Sequence, residues 1–171
     1  MNSVTIRPET TADHAAIFEI NRLAFGHEAE ANLVDGLRDG GFVRLSMVPE
    51  VESKIVGHIL FSRLSIHTET SVVEALALAP MAVIPSHQRR GIGTKLVEEG
   101  LRACREAGHR IVVVLGHPAF YPRFGFSASL AVPLASPFSG GESWMAVELV
   151  PGALAGVVGR VEYPGPFGAF S

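Results

Sequence analysis

The amino-acid sequence predicts an α/β chain organised around one β-loop-α-β unit, and three observations lead there. An apolar run from Leu76 to Ile84 ends at Pro85 and reads as a buried strand. Helical spacing extends from Gly91 to Ala107, and a second continuous apolar run, Ile111 to Leu115, follows it as a buried parallel strand would. Upstream, strand-like segments separated by turn signals bring three antiparallel strands into this unit.

Val4-Thr5-Ile6-Arg7 alternates and stops at Pro8, which gives a first strand. Thr10 or Thr11 caps the helix that follows, with Asp13 in its first turn. Spacing by three and four predicts that this helix buries Ala16, Ile17, Ile20, Leu23 and Ala24, and Gly26 ends it. A second helix, from about Glu28 to Arg38, buries Leu33, Val34 and Leu37 and closes at Gly40-Gly41. Glu28 and Glu30 stand in its first turn, where the helix dipole favours negative charge. They read as solvated capping charges or, lying near a loop, as substrate contacts.

Phe42 to Val48 and Ile55 to Ile66 are strand-like and joined through Pro49 to Lys54, and a turn around His67-Thr68-Glu69-Thr70 leads into the strand of Val72 to Val83. The helix beginning at Gly91 carries Ile92, Leu96, Val97, Gly100, Leu101 and Cys104 on one face and charged residues on the other. Cys104 therefore reads as core filling rather than a nucleophile. After Ile111 to Leu115, two prolines limit Gly116 to Phe126 to one or two helical turns. Ala131 to Gly141 is rich in Pro, Ser and Gly and reads as a mobile loop. Trp144 to Val150 reads as the last strand, and Pro151 to Ser171 as an irregular apolar tail packed on the surface.

A chain of 171 residues fits one domain spanning 1–171, with its core at 4–150. With 47% hydrophobic residues it is expected to be globular, not disordered. A net charge of −3 argues against a nucleic-acid partner, which needs a basic face. One cysteine cannot form an internal disulfide and fits a reducing compartment. Neither a secretory leader nor an apolar run of ~18 residues is evident, so a soluble, cytoplasmic protein with no membrane partner is expected.

The loop between the two runs of the central unit places glycines where a helix starts. The first helical N–H groups have no internal partners and the dipole is positive there, which suits an anion; the glycines also suit a simple strand-to-helix turn. A triphosphate loop is excluded, because no Lys-Ser/Thr pair follows the glycines. A dinucleotide fingerprint fails too: Gly91-Ile92-Gly93 lacks a third glycine and no ribose-binding acid stands at the expected distance. Seven histidines show no paired metal spacing, and with one cysteine no metal site is expected. No Gly-x-Ser-x-Gly elbow is present.

Gln88-Arg89-Arg90-Gly91-Ile92-Gly93, however, resembles the Gln/Arg-x-x-Gly-x-Gly/Ala signature of the GCN5-related N-acetyltransferases, the GNAT superfamily. The run Leu78 to Val83 before it and Phe120-Tyr121-Pro122-Arg123-Phe124-Gly125-Phe126 after it match in order and spacing, and the likeness extends from Val4 to about Val150. Leu115-Gly116-His117-Pro118-Ala119-Phe120-Tyr121, with the apolar Pro151-Gly152-Ala153-Leu154, resembles a poorly characterised bacterial branch of predicted acetyltransferases. The resemblance implies a mixed, mostly antiparallel sheet with helices on both faces, in which the strands Leu76 to Val83 and Ile111 to Leu115 are parallel and splay apart to admit acetyl-CoA.

On that resemblance, backbone groups of Met81, Ala82 and Val83 pair with the pantetheine arm as a further strand would. Gln88 belongs to the same cofactor-binding signature. The N–H groups of Arg89, Arg90, Gly91, Ile92, Gly93 and Thr94 hold the pyrophosphate, and the Thr94 hydroxyl adds a contact. Glycine at 91 and 93 lets backbone approach phosphate closely. Arg89 and Arg90 read either as phosphate partners or as solvated loop charges.

The implied reaction is direct: an amine attacks the thioester with no acyl-enzyme, while the enzyme positions, deprotonates, polarises and protonates. Tyr121 matches the family's general acid and belongs to the implied cofactor-binding set, or else it is an aromatic wall beside Phe120 and Phe124. The glutamate that several members use as base is replaced by Ala77, and Glu74 falls on the opposite face of a regular strand. His117, at the end of the parallel strand, is the titratable alternative; it equally suits a backbone hydrogen bond where the chain turns into Pro118. A water relay or an amine arriving neutral needs no side-chain base. The acceptor, a small-molecule or protein amine, is expected against Phe25 to Glu30 and the loop of Ala135 to Gly141. A non-catalytic acyl-CoA-binding or regulatory module is the alternative, and the apolar tail suits a homodimer.

Overall fold

Alternation in the first strand becomes a pairing: β1 (Val4–Pro8) runs antiparallel to β2 (Val43–Val51), with Val4 opposite Val51 and Pro8 opposite Met47. The structure is a computed structural model and describes residues 3–138 and 140–170. The backbone clusters into two compact units. One joins the segment ending at Phe61 to Ala79–Ala103; the other joins Ser62–Leu78 to the segment from Cys104 onward.

In the first unit, β2 continues through Pro49, where the sequence suggested a break. Proline lacks only the N–H, and the Pro49 carbonyl still accepts from Val56 N–H at 3.0 Å. Glu52 and Ser53 then turn the chain at φ +51° and +67°, a two-residue reversal that needs positive φ twice. The short β3 (Lys54–Ile55) folds back on β2, and β4 (Gly57–His67) and β5 (Val72–Val83) follow.

Helix α1 (His14–Phe25) follows a 3-10 turn at Thr11–Asp13, in which Thr10 and Asp13 form a capping box. Its buried face is Ile17, Ile20 and Asn21, whereas Ala16 and Leu23 are exposed, Leu23 by 45%. The expected stripe is thus rotated. Asn21 is drawn inward because its amide finds partners in the Ile17 carbonyl and His58. Helix α2 (Ala29–Asp39) buries Leu33, Val34 and Leu37 as its spacing predicts. Helix α3 (Ile92–Glu106) buries the whole predicted face, from Ile92 to Cys104. Gly100 belongs to it for a steric reason: a Cβ there would lie 2.8 Å from the Phe61 ring.

In the second unit, β5 and β6 (Ile111–Leu115) are parallel, with Leu76 opposite Val112 and Ala77 opposite Val113. β8 (Trp144–Glu148) lies antiparallel on β6 over its full length, Ile111 facing Glu148 and Leu115 facing Trp144. Two expectations need correction. The loop of Ala131 to Gly141 is more regular than its composition suggests: α4 (Ala128–Ala131) ends in it and β7 (Leu134–Ala135) lies within it, with Leu134 buried. Ser139, in the same stretch, lies outside the described residues.

Nor is β8 the last strand. β9 (Gly159–Glu162) comes from the tail and pairs with the end of β4 and with β7. Gly159 permits this, because a Cβ there would stand 2.3 Å from the His67 carbonyl oxygen. Ala153, Leu154, Val161 and Phe167 are buried, so the tail supplies core.

Candidate active site

In the first unit the chain leaves β5 at Val83, makes a 3-10 turn at Pro85–His87, and enters α3 at Ile92. Two bonds fix the exit: Ile84 N–H donates to the Val56 carbonyl at 2.9 Å, and Gln88 Nε2 donates to the Val83 carbonyl at 2.8 Å. Gln88 therefore works as a brace between loop and strand, a use its place in the signature does not reveal. Arg89 sits at φ +64° and Gly91 at +80°. Left-handed backbone is strained for a branched-chain or long residue and free for glycine.

Lys95 N–H is the first to close a helical bond in α3, onto the Gly91 carbonyl at 3.1 Å. The N–H groups of Ile92, Gly93 and Thr94 therefore precede the helical ladder at the positive end of the dipole. Ile92 can contribute only its backbone, since its side chain is buried in the core. Arg89 and Arg90 are exposed, and a Cβ built on Gly91 meets nothing within 4 Å. The loop thus presents N–H groups beside open space, a cradle that fits a pyrophosphate. Upstream of it, Ala82 is buried, and Met81 and Val83 are half-buried.

In the second unit, β6 ends at Leu115 and the chain passes Gly116 and His117 into a 3-10 turn at Tyr121–Phe124. The His117 carbonyl accepts from Phe120 N–H at 3.0 Å and Tyr121 N–H at 3.2 Å, while its imidazole is exposed. Tyr121 is 7% exposed, edge-on to Phe120 and Phe126 at centroid distances of 5.0 and 5.6 Å. Arg123 stacks its guanidinium over Phe120 at 4.7 Å. Gly116 makes room for the phenol ring: a Cβ there would be 2.4 Å from it. That requirement was not legible beforehand, because a glycine after a strand reads as a turn signal. Burial pushes the Tyr121 hydroxyl up to about 12, so it stays protonated at neutral pH.

Ala77, the position of the family's glutamate, is buried opposite Val113, and Glu74 is exposed. Cys104 is fully buried and its thiol is pushed up to about 12 by burial, which removes it as a nucleophile. Among the described residues no group of three His, Cys, Asp or Glu side chains is placed to hold a metal, and no helix is long and apolar enough to cross a membrane.

Comparison with known proteins identifies the family and the fold. An acetyltransferase (GNAT) domain family model matches residues 5–129. The uncharacterized N-acetyltransferase YhbS of Escherichia coli K12 is 37% identical over 167 residues, covering 96% of this chain and 99% of that one. The uncharacterized N-acetyltransferase YjhQ from the same strain is 41% identical over 117 residues, covering 67% of this chain and 65% of its own. Among solved structures, E. coli YhbS in complex with CoA superposes with a TM-score of 0.92 at 34% identity, covering 100% of this chain and 95% of that one. A GNAT family acetyltransferase from Brucella melitensis in complex with acetyl-CoA gives 0.81 at 31% identity, covering 98% and 99%. The mixed sheet, the glycine loop opening α3 and these matches agree, and the chain belongs to the GNAT acetyltransferase family.

Proposed function

We propose that this chain, acting as a single domain, transfers the acetyl group of acetyl-CoA directly to a primary amine. The observation that carries the reading is the loop from Gln88 to Thr94, with N–H groups ahead of the helical ladder and open space at Gly91, on a chain whose full-length relative YhbS is known bound to CoA. Backbone groups of Met81, Ala82 and Val83 take the pantetheine, and the N–H groups of residues 89 to 94 take the pyrophosphate. Gln88 braces the strand end through the Val83 carbonyl. Arg89 and Arg90, both exposed, add charge rather than shape.

Tyr121 serves the departing thiolate. A phenol near 12 is a weaker acid than an ordinary thiol at about 8.5, so it acts first as a hydrogen-bond donor to the developing charge and completes proton transfer only in the field of the site. No carboxylate stands at position 77, and the exposed His117 imidazole is the proposed base. The acceptor amine approaches the junction of α1 and α2, from Phe25 to Glu30. Support comes from Glu30, whose Oε1 is buried without a hydrogen-bond partner and has the His27 ring 3.5 Å away. A half-buried carboxylate left in that state attracts a cation.

The buried Ala77 gives a second reading, a non-catalytic acyl-CoA-binding module, its weight. Thiol release from acetyl-CoA separates the two. Assayed with n-butylamine, spermidine, free amino acids and short peptides, an enzyme gives amine-dependent release. CoA binding with release no faster than hydrolysis across the whole panel would establish the module instead.

A further inference from the structure

The first unit also holds a buried polar chain that the proposed transfer does not use. His58, on β4, is fully buried. Its Nε2 lies 2.8 Å from Ser46 Oγ on β2, and its Nδ1 lies 3.3 Å from Asn21 Nδ2 on α1. Asn21 donates its other amide hydrogen to the Ile17 carbonyl at 3.0 Å. Ser46 Oγ is hydrogen-bonded to Glu9 Oε1, and Glu9 accepts from Arg38 of α2 at 3.0 Å and pairs with His14 of α1 at 2.9 Å. One chain of bonds therefore links both helices to two strands.

Counting protons gives this chain a direction. An amide nitrogen only donates, so His58 Nδ1 is the acceptor and Nε2 carries the imidazole hydrogen. Nε2–H donates to Ser46, and the Ser46 hydroxyl donates to the Glu9 carboxylate. A second proton on His58 would have to enter at Nδ1, against the amide hydrogens of Asn21. Turning that amide over would offer Oδ1, now buried without a partner, to the imidazolium, but it would set oxygen against the Ile17 carbonyl. Burial holds His58 below the usual imidazole range; Glu9, 3.8 Å from Nε2, opposes this, and the Arg38 charge reinforces it. The other groups facing the chain are His14, on Glu9, and Asp35, 3.4 Å from Arg38.

His58 also stands next to the strand proposed to take the pantetheine. The flanking Val56 carbonyl accepts from Ile84 N–H, and a Cβ on Gly57 would lie 2.7 Å from the Ala82 carbonyl oxygen. We propose that Asn21, His58, Ser46 and Glu9 form a proton-ordered positioning network that holds α1 and α2 in register with the pantetheine strand for the acceptor amine, and that protonation of His58 releases it. This rests on the acceptor reading above. Acid releases the helices, and amine binding weakens; the loop after β5, fixed by its own bonds from Ile84, Gln88 and Lys95, keeps its hold on CoA.

The test uses the full chain with His58→Gln and Ser46→Ala, the second serving if the first fails to fold. Nitrogen-edited NMR with CoA as the only ligand should find His58 as the Nε2–H tautomer, titrating below the ordinary imidazole value of about 6.5. The other tautomer, or an ordinary midpoint, overturns the proposal, and neither outcome depends on knowing the amine. With any panel amine that turns over, its KM should rise about tenfold in both variants while the Kd for CoA stays within twofold. The wild-type KM should climb as pH falls through the His58 midpoint, a step that His58→Gln removes. An unchanged amine KM and pH profile in the folded variants overturns it. If CoA binds and no amine reacts, the transfer reading fails; hydrogen exchange of α1 and α2 across the His58 midpoint then decides the network, faster exchange below it in wild type alone being the supporting result.

Discussion

The aromatic wall and the proposed acid are compatible in Tyr121, although the sequence offers them as alternatives. Its ring packs edge-on against Phe120 and Phe126 and over Gly116, while its hydroxyl keeps its proton because burial disfavours the phenolate. The wall holds the proposed acid in place. Removing only the oxygen should therefore leave the packing unchanged and affect the chemistry. For Tyr121→Phe we expect kcat to fall by about 100- to 1,000-fold, the range of a single transition-state hydrogen bond or proton transfer, with acetyl-CoA affinity changed less than twofold. Steady-state kinetics with calorimetric binding decide it. Unchanged turnover at saturating substrate would reduce Tyr121 to a wall.

At the scale of elements, the strand-loop-helix from β5 to α3 depends on backbone conformation more than on side chains. Gly91 has φ +80° and nothing within 4 Å of where a Cβ would point, so a substitution meets backbone strain of about 1–2 kcal/mol and no clash with the protein itself. Gly91→Val should thus lower CoA affinity at least tenfold, by strain and by filling the space next to the N–H groups, while thermal stability falls only modestly. A large loss of Tm with unchanged CoA affinity would mean the glycine serves folding alone. Gly159 makes the opposite case. A Cβ there meets the His67 carbonyl at 2.3 Å, so Gly159→Ala should detach β9 from β4 and lower Tm by several degrees with CoA binding intact, measured by calorimetry. If Tm does not move, β9 does not depend on that close approach.

These two glycines also mark what was legible in the sequence. The β5-loop-α3-β6 unit was readable because long apolar runs and a stripe of about three and a half turns from Ile92 to Cys104 carry strong periodicity. β9 carries none, since Gly159-Arg160-Val161-Glu162 has one apolar residue and becomes a strand only because the end of β4 offers a pairing edge. The rotated face of α1 was hidden for a related reason: Asn21 counts as polar in any periodicity and is buried through partners distant in sequence. At the candidate site, Tyr121 and the glycine loop are proposals already made from the sequence, whereas the Gln88 brace and the Gly116 clearance depend on contacts that only the fold creates.

For the whole molecule, resistance to acid is set by carboxylates that the fold keeps ionised. Burial alone would raise the Glu9 carboxyl, but the His58 imidazole, the Ser46 hydroxyl and the Arg38 guanidinium outweigh it and bring it down to about 2 from an ordinary 4.5. Asp13 is held well below the carboxylate range by Arg7, at 2.8 Å, and by the Thr10 N–H. Between the ordinary and the folded values the unfolded chain binds a proton that the folded chain refuses. The stability these two carboxylates contribute is therefore fully present above about pH 5 and declines as pH falls toward 2, Glu9 alone contributing at most about 3 kcal/mol. His58 acts in the same direction at higher pH, because its neutral form belongs to the folded state and the unfolded chain takes up its proton first. Urea midpoints should accordingly drop on acidification, beginning below about pH 6.5 through His58 and steepening below about 4.5 through Glu9 and Asp13. In Glu9→Gln the steeper limb should flatten, because the neutral amide has no proton to gain, even though the variant starts from lower stability after losing the Arg38 pair. A Glu9→Gln profile parallel to wild type between pH 5 and 2.5 would place the acid sensitivity elsewhere, with the Arg7–Asp13 pair the next to examine through Asp13→Asn.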